Sequence, residues 1–76
     1  MPTHTVSAEM VANVAQVIAS VGDVLVPTDT VVILESMKME IPVLADVHGV
    51  LREVAVSEGD VITEGDTIAV IEIAAR

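Results

Sequence analysis

The sequence predicts an all-β domain with a single core and approximate two-fold symmetry. Three observations predict it: the length of the chain, its β-branched runs between turn-forming clusters, and an internal repeat. A chain of 76 residues has room for only one domain, so we assign residues 1–76 to a single unit. Hydrophobic residues make up 53% of the chain and none is aromatic. The core must therefore consist of Val, Ile, Leu, Met and Ala.

The internal repeat appears when the chain is laid on itself at an offset of 59 − 22 = 37 positions. Two aligned pairs of segments show the repeat. Gly22-Asp23-Val24-Leu25 aligns with Gly59-Asp60-Val61-Ile62, and Val32-Ile33-Leu34-Glu35 aligns with Ala69-Val70-Ile71-Glu72. Each half is too short to bury an apolar face by itself. We therefore expect the two halves to pack together as one core.

Each half contains short runs rich in β-branched residues, separated by Gly-Asp or Pro/Thr/Asp clusters. This pattern is typical of short strands joined by tight turns. Residues 11–21 also satisfy a helical period. We predict a strand there, because the repeat partner at residues 51–56 is bounded too closely by Gly49 and Gly59 to form a helix.

Residues 31–44 are predicted to form a hairpin with Met37-Lys38 at its tip. Two-residue turns usually recruit Gly, Asn or Asp, so turn stability alone does not explain this pair. Lys38 is also the only lysine of the chain. A covalent carrier needs such a unique amine on a protruding turn, where it can form a stable amide with a carboxylic acid. A solvated hairpin lysine is the plain alternative, but the exposed apolar side chains of Met37 and Met39 favour contact with a partner or cofactor.

These residues resemble the biotin-attachment motif of biotin carboxyl carrier domains, in the biotin/lipoyl attachment family. The motif reads Glu35-Ser36-Met37-Lys38-Met39-Glu40. Gly22-Asp23, Gly49 and the Glu-Gly-Asp clusters at 58–60 and 64–66 also look like that family. The resemblance covers nearly the whole chain, and it is most marked to the stand-alone biotin/lipoyl attachment proteins of bacteria. It implies a flattened β-barrel or sandwich of two four-stranded antiparallel sheets, with the lysine between the fourth and fifth strands and no thumb insertion.

The resemblance implies that Lys38 is biotinylated and that biotin protein ligase reads the flanking Met37 and Met39. The chain would then shuttle carboxybiotin between a biotin carboxylase and a carboxyltransferase, as a carrier subunit that catalyses nothing itself. Two positions depart from the family pattern. Ser36 stands where Ala is common, and Ala12 stands where the repeat and the family suggest Gly.

Two alternatives remain open. Lipoate on the same lysine would make the chain an acyl or redox carrier, although lipoyl carriers usually show an acidic residue where Met37 stands. The other alternative is an unmodified interaction module of the same fold, which the Met-Lys-Met tip disfavours. Glu35 and Glu40 are expected to present acid to a basic partner face, in preference to pairing weakly with the lysine.

Composition excludes several other classes. Three basic residues against 12 acidic ones give a net charge of −9, which disfavours nucleic acid and anionic membranes and favours a monomer. The sequence has no signal peptide and no Cys, so we expect a cytoplasmic protein. We expect no metal site and incidental roles for His4 and His48. The Glu-Gly-Asp clusters are interpreted as tight turns with solvated acids.

Overall fold

A computed structural model describes residues 2–73, so residues 1 and 74–76 of the predicted domain lie outside the described part. The strands are β1 (Thr3–Ser7), β2 (Ala12–Val17), β3 (Val24–Leu25), β4 (Thr30–Ser36), β5 (Met39–Leu44), β6 (Gly49–Val54), β7 (Val61–Ile62) and β8 (Thr67–Ile73). The prediction of a strand and not a helix in residues 11–21 is confirmed for Ala12–Val17, which form β2, whereas residues 18–21 lie outside the strand. Within residues 2–73 no helix has the length and apolar character required to cross a bilayer.

The strands form two four-stranded antiparallel sheets, in the orders β1-β8-β6-β3 and β5-β4-β2-β7. A shift of 37 positions converts one order into the other, strand by strand. The bulges repeat as well. The register of β2 against β4 shifts between Val14 and Gln16, and that of β6 against β8 shifts between Leu51 and Glu53. The predicted all-β architecture with two-fold symmetry is confirmed.

Four β-turns of one design connect the strands, two in each half. In each turn an Asp carboxylate accepts a hydrogen bond from the N–H of the residue three positions earlier, and the Asp N–H donates back to that residue's carbonyl. The pairs are Asp23 with Ser20, Asp29 with Val26, Asp60 with Ser57 and Asp66 with Thr63, with carboxylate distances of 2.8–2.9 Å. One such turn joins β3 directly to β4, which confirms that no thumb is inserted there. In the Glu-Gly-Asp cluster at 58–60 the glutamate has a structural partner as well: Glu58 accepts a hydrogen bond from the N–H of Val17 at 3.1 Å.

The core lies between the sheets and is assembled from equivalent positions of the two halves. The deepest pairs are Val14 with Leu51, Val31 with Ile68, Val32 with Ala69 and Leu34 with Ile71, all at most 2% exposed. Burying each of the larger side chains contributes about 1.5–3 kcal/mol. Among residues 2–73 no polar or charged side chain is buried, so every polar group that could act chemically lies at the surface.

Gly49 marks a place where the two halves differ. A Cβ at this position would lie 2.2 Å from the carbonyl oxygen of Glu72 and 2.7 Å from Cγ2 of Ile71. Its counterpart Ala12 is buried and accommodates its methyl group. The departure from the family pattern at Ala12 is therefore compatible with the fold, whereas Gly49 is required by the close approach of β8.

Candidate attachment site

The predicted hairpin is formed by β4 and β5, and Met37-Lys38 is its two-residue tip. Ser36 pairs with Met39 directly below the turn. Both turn residues have a left-handed backbone, with φ of 53° at Met37 and 66° at Lys38. Positive φ at both central residues defines a type I′ turn, whose twist matches that of the flanking strands. The prediction that Lys38 lies on a protruding bend is confirmed.

This backbone conformation is unfavourable for the residues that adopt it. The left-handed region costs a residue with a Cβ roughly 1–2 kcal/mol, and type I′ turns prefer Asn-Gly. Among residues 2–73 the only other non-glycine with positive φ is Asp46, and Asp is far more tolerant of that region. Met37 and Lys38 therefore occupy the turn at a cost to the stability of the domain.

The apolar side chains at the tip and directly beside it are largely exposed. Met37 is 91% exposed and Met39 is 63% exposed, and Lys38 between them is exposed as well. Apolar side chains of this size are usually buried. The amine can thus be reached by an enzyme from most directions, which is common for functional groups carried on loops over a rigid scaffold.

The molecule is elongated, with extents of 40 × 19 × 16 Å. The two-fold relation matches β1 with β5 and β8 with β4. The start of β1 and the end of β8 are therefore equivalent to the two strand ends that the tip connects. The tip and the ends of the described chain thus belong to different sheets.

Two carboxylates face each other just below the tip. Glu35 pairs with Glu40 across the hairpin, and both are exposed. Like charges directly opposite each other destabilise a sheet. The only ion pair within residues 2–73 joins Arg52 to Glu72, so neither glutamate is bridged to the lysine there. That this acid pair contacts a basic partner face stays a prediction.

Four residues that sequence analysis missed as part of the site lie beside the tip. Val11, Ala12, Asn13 and Val61 line an open groove together with residues 35–38. Val11 is 62% exposed and Val61 is 68% exposed, so they extend the apolar surface of the methionines. Val61 reaches this place because β7 pairs with β2, where it lies opposite Asn13. No local sequence signal indicates that contact.

The two histidines lie apart from the tip. His4 is in β1 and pairs with Ile71 of β8, and His48 is in the bend before β6. In the part of the chain that the structure describes, no three His, Cys, Asp or Glu side chains are grouped as metal ligands would be. The chemistry available at the tip is therefore that of one exposed primary amine with apolar and acidic neighbours.

Comparison with known proteins identifies the family. The biotin/lipoyl family model, described as "Biotin-requiring enzyme", matches residues 1–71. The biotinylated protein TB7.3 homolog of Mycobacterium leprae is 59% identical over 51 residues, which are 67% of this chain and 72% of that protein. The biotin/lipoyl attachment protein of Bacillus subtilis is 48% identical over 50 residues, which are 66% of this chain and 68% of that protein.

A solved structure agrees with these sequence matches. The Kluyveromyces lactis urea carboxylase superposes with a TM-score of 0.88 at 30% identity, over 95% of this chain and only 6% of that one. The family model includes the whole motif at residues 35–40, which the structure places at the hairpin tip. The chain therefore belongs to the biotin/lipoyl attachment family.

Proposed function

We propose that the chain is a biotin carrier and that Lys38 is the residue to which biotin is attached. The observation that carries this proposal is the position of the only lysine, on an exposed two-residue turn in a costly left-handed conformation. Fold stability does not explain that choice, whereas covalent attachment requires a reachable amine. The Mycobacterium leprae relative, which is named as a biotinylated protein, supports biotin as the group.

The residues of the tip fit such a group. An amine forms a stable amide with the carboxylic acid of biotin, and Lys38 supplies the only side-chain amine of the chain. The amine is exposed and forms no ion pair within residues 2–73. Met37 and Met39 give a biotin protein ligase flexible apolar surface on both sides of the residue that it acylates.

The contribution of the domain is to position and tether the group. Biotin, once bound, supplies the carboxyl-transfer chemistry. Attachment to the exposed tip replaces diffusion of a free cofactor by a high local concentration at each enzyme that the domain visits. We assign the catalysis to those enzymes, a biotin carboxylase and a carboxyltransferase. The superposition on part of urea carboxylase supports this setting.

Two further features belong to the same proposal. A net charge of −9 on 76 residues opposes self-association, so we propose a monomeric carrier. The chain contains no Cys, which is compatible with a reducing cytoplasm as its location. Sedimentation of the purified chain would test the first of these, because a stable dimer would contradict it.

Lipoate on Lys38 is the second candidate, because the matching family includes lipoyl as well as biotinyl domains. The Bacillus subtilis relative carries both groups in its name. Met37 precedes the lysine here, whereas the family resemblance implies an acidic residue at that position in lipoyl carriers. This difference favours biotin over lipoate.

The proposal is tested by offering both groups to the same protein. The purified chain is incubated with ATP and either biotin and a biotin protein ligase or lipoate and a lipoate ligase, and its intact mass is measured. We expect one biotinyl group and no lipoyl group, and no reaction of the Lys38→Arg variant. Lipoylation alone would favour the second candidate, and an unmodified chain in both reactions would favour an interaction module.

A further inference from the structure

Within residues 2–73, the methionine side chains most open to oxidation lie at the tip and directly beside it. The sequence has no Cys, Trp or Tyr, so thioethers are its principal targets for a peroxide. Of the methionines in the described part of the chain, Met37 is 91% exposed, Met39 is 63% exposed and Met10 is 40% exposed. The two most exposed methionine residues among residues 2–73 are thus the immediate neighbours of the only lysine.

We propose that Met37 and Met39 are a redox-sensitive modification site that controls loading of Lys38. The inference rests on the proposed function, and it adds a means of regulating it. In the modification each thioether sulfur takes one oxygen atom from a hydroperoxide, ROOH, which leaves as the alcohol ROH. The sulfur is oxidised by two electrons, the peroxide is reduced by two electrons, and the protein gains and loses no proton.

The consequence for loading follows from the change in polarity. A sulfoxide is polar and chiral, whereas the thioether is apolar and flexible. Met37 lies in the turn and Met39 at the start of β5, and neither is packed in the core. Oxidation therefore leaves the sheets and the turns closed by Asp carboxylates intact. What is lost is the apolar surface that a ligase contacts beside the amine. Losing one such contact lowers the rate of acylation about tenfold.

The order of oxidation is the first test. The unmodified chain is treated with graded hydrogen peroxide and digested with a protease that cleaves after Glu, which places residues 1–9, 10–35 and 36–40 on separate peptides. We expect the peptide of residues 36–40 to gain oxygen before the peptide that contains Met10. Equal or slower oxidation of the tip would overturn the proposal.

The effect on loading is the second test. Initial rates of biotin transfer by a biotin protein ligase are compared for treated and untreated protein. We expect a drop of about tenfold, which methionine sulfoxide reductases of both stereospecificities reverse. If the peptide of residues 36–40 had gained two oxygen atoms and the initial rate of biotin transfer were unchanged, the proposed control of loading would be overturned.

Matched variants assign the effect to the tip. For each variant, the rate of biotin transfer after peroxide treatment is divided by the rate without treatment. In Met10→Leu this ratio should fall as it does in the parent chain. In Met37→Leu with Met39→Leu, which keeps apolar side chains but no sulfur there, the ratio should return to one, whatever the absolute rate. The opposite pattern would overturn the assignment. Untreated protein that accepts no biotin contradicts the proposed function and the switch with it, while the order of oxidation is still decided by the peptide masses.

Discussion

Replacing the tip by Met37→Asn with Lys38→Gly should stabilise the domain while it removes the attachment site. Both residues have positive φ, 53° and 66°, and each loses roughly 1–2 kcal/mol in that conformation. Asn and Gly relieve most of this cost, although Gly adds about 0.5–1 kcal/mol of chain entropy to be lost on folding. The net gain is about 1 kcal/mol, which raises the Tm of a domain of this size by roughly 4–8 °C.

The measurement is thermal unfolding followed by far-UV circular dichroism or calorimetry, because the chain has no Trp or Tyr for fluorescence. The matched control is Thr28→Gly. Thr28 is exposed in the turn between β3 and β4, and its φ is not positive. That change should lower stability by about 0.5–1 kcal/mol, since only the entropic term of Gly remains. If the double variant melted at or below the Tm of the parent, the claim that function and not stability selects the tip would be refuted.

Three other changes probe the scaffold and the acid pair. Gly49→Ala should cost about 3 kcal/mol or more in denaturant unfolding because its Cβ meets the β8 backbone, whereas Ala12→Gly should cost only about 1 kcal/mol; equal costs would contradict the packing described. Leu51→Ala empties a fully buried position and should cost about 2–5 kcal/mol by the same method; a loss below 1 kcal/mol would show that the core is not where we place it. Glu35→Gln with Glu40→Gln should raise stability by about 0.5 kcal/mol and slow association with the ligase in stopped-flow mixing at low salt. Association rates that match the parent at low and high salt would remove the acid pair from recognition.

Much of the fold can be predicted from the sequence because the repeat constrains it twice. Gly22-Asp23 and Gly59-Asp60 mark the same turn in both halves, and the structure closes both turns with the same carboxylate contact. A segment that is ambiguous alone is resolved by its partner. The helical period of residues 11–21 gives way to a strand because β2 must pair with β4 and β7, and the repeat already indicates that outcome.

Some residues near the tip could not be predicted from the sequence, because strand pairing brings them there from distant parts of the chain. Lys38 can be identified because a unique amine between two apolar residues is visible in the linear chain. Val61 cannot be identified as part of the site, since it approaches the tip only through the pairing of distant strands. Glu58 is a similar case. Its carboxylate is interpreted as a solvated turn residue, yet in the fold it accepts a hydrogen bond from Val17 in β2. Contacts between distant residues depend on register, which composition and periodicity do not specify.

The central claim is that one lysine at the hairpin tip holds the cofactor. It is tested most directly by expressing the chain with a biotin protein ligase, digesting the product after its glutamates, and locating the added mass among the peptides. The account predicts a single biotinyl group, on the five-residue peptide of residues 36–40. Biotin found on any other peptide, including the one that carries the α-amino group, would contradict it.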